Sequence, residues 1–484
     1  MVALAAVFIL LSVAAALAAD PTDKSFGVKG IAEIEAFADL GGGETQVGGI
    51  VDLERGRDGK LLAAVYGIAR RGHYFAAARI GPDGALDKSF GEDGFTERVS
   101  YGRGREEGGR GALQAEAVAQ APNGDVVVAG DFENEGAYAP ALARFTPNGH
   151  LEKSFGVGGK VTPHPSYKGK RIGFGEQGGE VLHDVAVEPN GTIVGVGHVI
   201  AGRRGFDFRA SKQPAAVVFA YRPDGKVDRG FGKGGRFEIR VPVGSTSTTF
   251  SQVKALPSGK LMVSGYIKGQ LVLYRLTANG RRDRSFGGGD GKVTVGRQAP
   301  EYWESFDRAP FALEPDGRIV LGGATQIKVS SYEEAFDVLV RLLPDGRRDP
   351  SFRRSIFIER APIDADEPFP REHVPTYAFE IQGLAVDGHG RAILTGIELA
   401  PYTRGQKEAG YQYFASRRFL PGGRLDRHFG RSGVWATNPP GSQSMGRAAV
   451  TEGDGKIVGG GWVQIERGGG NGPGNTAMML TRYR

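Results

Sequence analysis

Two short phrases recur in alternation along the 484-residue chain, and seven linked copies of each constrain the fold more tightly than any other feature. The first is an Asp-x-Ser-Phe-Gly phrase. It reads DKSFG ending at Gly27, LDKSFGEDG around Phe90, LEKSFGVGG around Phe155, VDRGFGKGG around Phe231, RDRSFGGGDG around Phe286, RDPSFRR around Phe352 and LDRHFGRSG around Phe429. From Phe26 onward the Phe spacings are 64, 65, 76, 55, 66 and 77 residues. The second is a hairpin phrase of apolar run, Asx-Gly-type turn, β-branched run and Gly, as in AVAQAPNGDVVVAG and VAVEPNGTIVGVG. Its turn glycines are Gly59, Gly124, Gly191, Gly259, Gly317, Gly390 and Gly455. A third strand lies between the two, as in ALARFTPNG and VLYRLTANG, so each unit reads as four short strands. Seven such units predict an all-β fold, a single seven-bladed β-propeller of four-stranded blades.

The chemistry of the turns agrees. In the Pro-Asp-Gly and Pro-Asn-Gly corners Pro presets φ, Asp or Asn bonds the local backbone, and Gly takes φ > 0. Gly accounts for 78 of 484 residues, well above the roughly 7 % of ordinary chains, because many tight turns need it. Hydrophobic residues make up 40 %, enough for a large core, which argues against disorder.

Ring closure is also written in the sequence. At five of the six internal junctions an Arg on the third strand precedes the acid of the next Phe-Gly phrase by eight residues: Arg79/Asp87, Arg144/Glu152, Arg275/Asp283, Arg341/Asp349 and Arg418/Asp426. Ala220/Asp228 is the exception. The seventh Arg, Arg482, has no phrase after it, and the unmatched phrase stands at Asp23–Gly27. The N-terminal segment is therefore expected to complete the last blade, with Arg482 and Asp23 adjacent and no sheet edge left open.

At these residues the chain resembles the delta-60 repeat family of bacterial β-propellers, whose unit looks like R-x-x-x-D-G-x-L-D-x-S-F-G-x-x-G followed by the hairpin phrase. The resemblance covers about residues 20 to 484 and implies fold and export, since the family has no established common activity. The chain departs from it at Gly230 and His428, which replace Ser, and in losing both glycines after Phe352.

Residues 2–18 form an uncharged apolar run ending in Ala16-Leu17-Ala18, which reads as a signal peptide (residues 1–18) cleaved after Ala18 or Ala19, ahead of a propeller over 19–484. A retained N-terminal anchor is the alternative, because the run lacks a basic flank. There is no Cys, hence no lipidation site and no disulfide framework, and no later stretch has the length of a membrane helix. A secreted, cell-surface or periplasmic protein, a monomer without a transmembrane span, is the expectation. Lys plus Arg exceeds Asp plus Glu by 61 to 55, without the dense basic clusters of a nucleic-acid binder.

Function is sought on the face opposite the Gly turns, where long connections run between strands. Loops of blades 1 to 3 carry thirteen Lys/Arg against eight Asp/Glu, and those of blades 5 and 6 carry five against eleven. Arg70, Arg71, Arg203 and Arg204 from the basic sector, with Tyr101, Tyr302 and Trp303, are the candidate contacts for a glycan or protein, since aromatic faces beside charges suit both. Asp364, Asp366, Glu367 and His373 form a carboxylate and imidazole grouping that acid/base chemistry would use. Motifs for a zinc protease, a nucleophile elbow and a P-loop are absent, the repeated Ser and Asp recur too often to be catalytic, and no cofactor or metal is implied. The leading expectation is a non-enzymatic binding scaffold; the alternatives are a propeller hydrolase or lyase acting on glycans and a purely structural module. Carboxylates or imidazoles from several blades meeting near the axis would distinguish an enzyme from a binding module.

Overall fold

A computed structural model describes residues 20–34, 46–69, 72–100, 113–134, 137–161, 176–204, 215–242, 248–296, 308–329, 332–353, 355–360, 378–399, 412–437, 443–464 and 476–484. Apart from a 3-10 turn at Gly287–Gly289, every regular element among them is a strand, and no helix is long and apolar enough to cross a membrane. The strands form a seven-bladed β-propeller of antiparallel blades.

Blade 1 holds β2 (Gln46–Arg55), β3 (Leu61–Ala69) and β4 (Gly72–Ile80), with its outer edge made by single bridges from Phe95 and Val99. Blade 2 holds β5 (Leu113–Gln120), β6 (Val126–Asn134), β7 (Ala137–Phe145) and β8 (Lys160–Val161); blade 3 holds β9 (Glu176–Val187), β10 (Ile193–Arg204), β11 (Ala215–Tyr221) and β12 (Arg236–Arg240). Blade 4 runs from β13 (Thr249–Ala255) through β14 (Leu261–Ile267) and β15 (Gln270–Leu276) to β16 (Lys292–Val295). Blade 5 comprises β17 (Phe311–Leu313), β18 (Ile319–Val329), β19 (Tyr332–Leu342) and β20 (Ser355–Arg360). Blade 6 comprises β21 (Ala378–Val386), β22 (Ala392–Leu399), β23 (Gln412–Phe419) and β24 (Val434–Ala436). In blade 7, β25 (Ser444–Thr451), β26 (Ile457–Gln464) and β27 (Thr476–Tyr483) are completed by β1 (Ile31–Ile34), in the order β1-β27-β26-β25. Glu33 lies opposite Met479, and Asp23 donates its amide to the Arg482 carbonyl at 2.8 Å, so the N-terminal segment closes the ring.

Two features differ from the sequence reading. Blades 2 and 3 share one eight-stranded sheet, because β7 pairs β9 in parallel at Ala137/Gly178 and Tyr138/Gly179. The within-blade connections at 68–75, 131–139 and 324–336 are mostly strand: the hairpins β3/β4, β6/β7 and β18/β19 run on until only 70–71, 135–136 and 330–331 separate their strands. Alternating and β-branched residues extend those hairpins where irregular loop was expected.

The core lies between blades. Leu61, Ala63 and Val65 face Ala448, Val458 and Met478 of blade 7, while Leu62 and Ala64 on the same strand face Val118, Val126 and Val128 of blade 2. Both faces of each blade are buried, which is why the hairpin phrase reads as continuous apolar runs.

The Phe-Gly phrase links one blade to the next. All seven Phe are buried, and each Phe amide bonds the carbonyl of the phrase acid three residues earlier. Phe231 lies 2.6 Å from where a Cβ on Gly280 of blade 4 would stand, so that corner needs glycine both for space and for its φ of +72°. The seven hairpin-turn glycines have φ between +74° and +90°. The Arg clasps form at Arg79–Asp87 (2.6 Å), Arg275–Asp283 (2.6 Å), Arg341–Asp349 (2.8 Å), Arg418–Asp426 (2.8 Å) and Arg482–Asp23 (3.1 Å). Arg144 is a correction: its Nε reaches Asp125 at 2.7 Å, and Glu152 caps Ser154 instead. Asp125 stands where Lys60, Lys260 and Lys456 reinforce the phrase acid in other blades, so blade 2 carries its carboxylate on the hairpin.

Candidate functional site at the propeller axis

The closing Gly of the hairpin phrase shapes the innermost strand. Register between the first two strands of a blade slips by one residue at Val51, Glu116, His183, Ser251, Gln382 and Arg447. Opposite the slip stand Gly130, Gly197, Gly265, Gly396 and Gly461, where an added Cβ would meet the inner-strand carbonyl at between 1.8 and 2.1 Å. Such a bulge re-aims the extra residue, and in five of these six blades that residue is polar or charged.

Some of the re-aimed side chains reach residues of other blades. Glu116 of blade 2 accepts a hydrogen bond from Arg308 of blade 5, Oε2 to Nη2 3.1 Å, across 192 residues of chain. Arg447 of blade 7 donates Nη1 to Gln382 of blade 6 at 3.4 Å, and its buried Nε has no hydrogen-bond partner. Charges on Asp52 of blade 1 and Asp184 of blade 3 act on the same Arg308. His183 Nε2 lies 2.9 Å from His198 Nδ1, with the rings stacked.

Burial dominates the protonation of this cluster. It pushes Glu54 up to about 8 against the hydrogen bond from the Gln120 amide, with the charges of Asp52 and Asp184 adding to the rise. It likewise pushes Asp184 up to about 8, helped by Asp52 and opposed by the Val253 and Val185 amides. Burial lowers His198 to about 4, and burial with His198 beside it takes His183 well below its usual value, so both imidazoles are neutral at pH 7. Glu116 is raised by burial despite Arg308 and Arg447, and Lys254 is lowered by burial despite Asp184, Asp52 and Glu54.

Several of these carboxyls join neighbouring inner strands. Asp52 accepts the Val118 amide at 3.0 Å, Glu54 the Gln120 amide at 2.8 Å, Asp131 the Leu182 amide at 2.7 Å and Asp184 the Val253 amide at 2.7 Å. Arg308 thus meets Glu116 and the charges of Asp52 and Asp184, and Arg447 meets the charges of Glu116 and Glu380. Among the described residues no group of three or more His, Asp or Glu is arranged to hold a metal ion.

Of the residues singled out on the loops, Arg70, Arg71, Tyr101, Tyr302, Trp303, Asp364, Asp366, Glu367 and His373 lie outside the described residues. Arg203 and Arg204 continue β10, their backbones paired with Gln177 and Glu176 of β9. The axial residues were not legible as a site, yet they carry a signal. Glu116, His183, Ser251, Gln382 and Arg447 each stand 14 residues before the closing Gly of their hairpin phrase. A position that carries a different polar residue in each of five blades, at a fixed offset from the closing Gly, was the place to look.

A family model described as a domain of unknown function (DUF5122) beta-propeller matches residues 121–155, 256–286 and 314–352. No curated protein sequence matches the chain. Among solved structures the chain is similar to the PQQ-bound aldose sugar dehydrogenase of Streptomyces coelicolor, at 13% identity over 77% of this chain and 98% of that one with a TM-score of 0.36. It is similar to polysaccharide lyase Uly1 at 10% identity over 93% and 94%, TM-score 0.40. It is also similar to the alpha-L-arabinofuranosidase of Fusarium graminearum at 10% identity over 76% and 92%, TM-score 0.35.

Proposed function

We propose that the chain is an exported, monomeric binding scaffold of the delta-60 repeat type, engaging a polar polymer or protein outside the cytoplasm through its long-loop face and axis. The observation that carries the reading lies at the axis, where Arg447 Nε is a buried donor without an acceptor. A buried unpaired donor is costly, and a ligand carboxylate or carbonyl would satisfy it. The ligand is therefore an acidic one, such as a uronic-acid glycan or an acidic peptide segment. A glycan array and an acidic-peptide panel, probed with wild type and Arg447→Met, test this. About tenfold weaker binding by the variant is expected from loss of one charge-assisted contact; unchanged profiles would overturn the reading.

One observation favours the second reading, a hydrolase or lyase acting on glycans. Glu54 and Asp184 titrate at about 8, close enough to neutral pH to exchange protons with a substrate. Product release from the array's acidic glycans, abolished in Glu54→Gln, would establish turnover; binding without product favours the scaffold.

A further inference from the structure

Blade 3 lacks the arginine that the other six blades place at the junction with their neighbour, and keeps what that arginine binds. Blade 5 shows the full set. Arg341 donates Nε to Asp349 (2.8 Å), Nη1 to Glu314 (3.4 Å) and to the Pro421 carbonyl of blade 6 (2.8 Å), and its guanidinium lies 4.9 Å from the centre of the Phe352 ring. In blade 3 the corresponding residue is Ala220, and the hairpin cation Arg318 is replaced by Thr192. Glu188 occupies the Glu314 position, its amide bonding Thr192 O as the Glu314 amide bonds Arg318 O. Asp228 and buried Phe231 occupy the positions of Asp349 and Phe352. Gly232 N bonds Asn279 O of blade 4, as Gly287 N bonds Asp345 O, which puts the Ala278 carbonyl where Arg275 meets that of Pro344.

No cation among the described residues forms an ion pair with Glu188 or Asp228. Glu188 is 1 % exposed and its Oε1 has no hydrogen-bond partner. Glu314 Oε1 and Glu452 Oε2, at the same position in blades 5 and 7, lie 3.4 and 3.5 Å from Nη1 of Arg341 and Arg482. Asp228 accepts the Gly230 amide, and no cation among the described residues pairs with it. Burial raises Glu188 to about 7; a hydrogen bond from Asn190 opposes the rise and the charge of Asp228 adds to it.

We propose that the junction of blades 3 and 4 receives a guanidinium group from another molecule, in the position that a built-in arginine fills in the other blades. Two carboxylates, a carbonyl and an aromatic face select a planar, multiply donating cation over a compact ammonium. The group comes either from a small guanidine compound or from an arginine side chain of a peptide.

The experiment is a thermal-shift titration of the whole chain at constant ionic strength with millimolar methylguanidinium, methylammonium and acetyl-arginine amide. Wild type is compared with Ala220→Arg and with the double variant Glu188→Gln/Asp228→Asn. Methylguanidinium at ten times its dissociation constant is expected to raise the wild-type midpoint saturably, by about 1–2 °C for a chain of this size. Methylammonium is expected to do markedly less, and neither variant to respond. A matching response to acetyl-arginine amide assigns the source to a peptide arginine, and its absence assigns a small guanidine; both keep the site. No saturable rise in wild type, or an equal rise in the double variant, overturns the proposal, and the double variant decides it if Ala220→Arg does not fold.

Discussion

A methyl group on Gly197 would stand 1.8 Å from the Val181 carbonyl oxygen, far inside van der Waals contact, because the inner strand bulges towards it at His183. Backbone, not a flexible side chain, makes the obstacle, so relief requires the bulge to move. Gly197→Ala is expected to cost on the order of 2–3 kcal/mol in urea unfolding, at the upper end of overpacking penalties. Gly59→Ala meets no atom within 4 Å and pays only for its φ of +83°, so a cost of about 1 kcal/mol is expected in the same measurement. The recurrence of both glycines was plain in the sequence. Their different reasons were not, since a turn glycine answers to its own φ and a bulge glycine to a carbonyl on another strand. The same distance hid the axial residues: Glu116 and Arg308 are ordinary charged residues until the ring brings blades 2 and 5 together.

The element that joins blades is the Phe-Gly phrase with its arginine. Each such arginine also donates to a carbonyl of the next blade, as Arg79 does to Pro147 at 3.1 Å and Arg482 does to Pro82 at 2.7 Å. This was legible to the extent that an eight-residue spacing fixed the Arg–Asp pairs, and it failed at Arg144, where the partner sits on a different strand. Arg482→Ala strands Asp23 and Glu452 in the closing junction, and a loss of about 2–4 kcal/mol is expected by chemical denaturation. Burial opposes the ionisation of Asp23, but hydrogen bonds from Lys456 and Ser25 and the charge of Arg482 hold its carboxyl well below the ordinary range. Asp87 is lowered by Lys60 and Ser89, then by Arg79. A carboxyl depressed on folding stabilises above its unfolded value, about 3.9, and loses that stabilisation as pH falls below it. Melting midpoints are therefore expected to fall steeply below about pH 4, with a shallower fall in Asp23→Asn.

Across the whole ring a second pH effect has the opposite sign. Glu54 is raised on folding to about 8 from roughly 4.3, so the folded state keeps a proton the unfolded chain releases. Its contribution is full below about pH 4.3 and is lost as pH rises to about 8. His198, lowered to about 4, works the other way, gaining stability as pH rises to about 6.5, and then titrates in neither state. Relative to wild type, Glu54→Gln is expected to lose less stability between pH 6.5 and 8, read as the difference of two melting-point series. Fold and ring closure could be read from repeats because each blade repeats the same local chemistry; the axis could not, because there each blade contributes something different. The pairing of β1 with β27 carries a further consequence for the order of assembly. Thr481 Oγ1 bonds the Gly30 carbonyl across 451 residues. β1 thus waits for β27, which follows it by the whole ring, and the ring stays an open arc, with blade 7 incomplete, until β27 arrives to shut it.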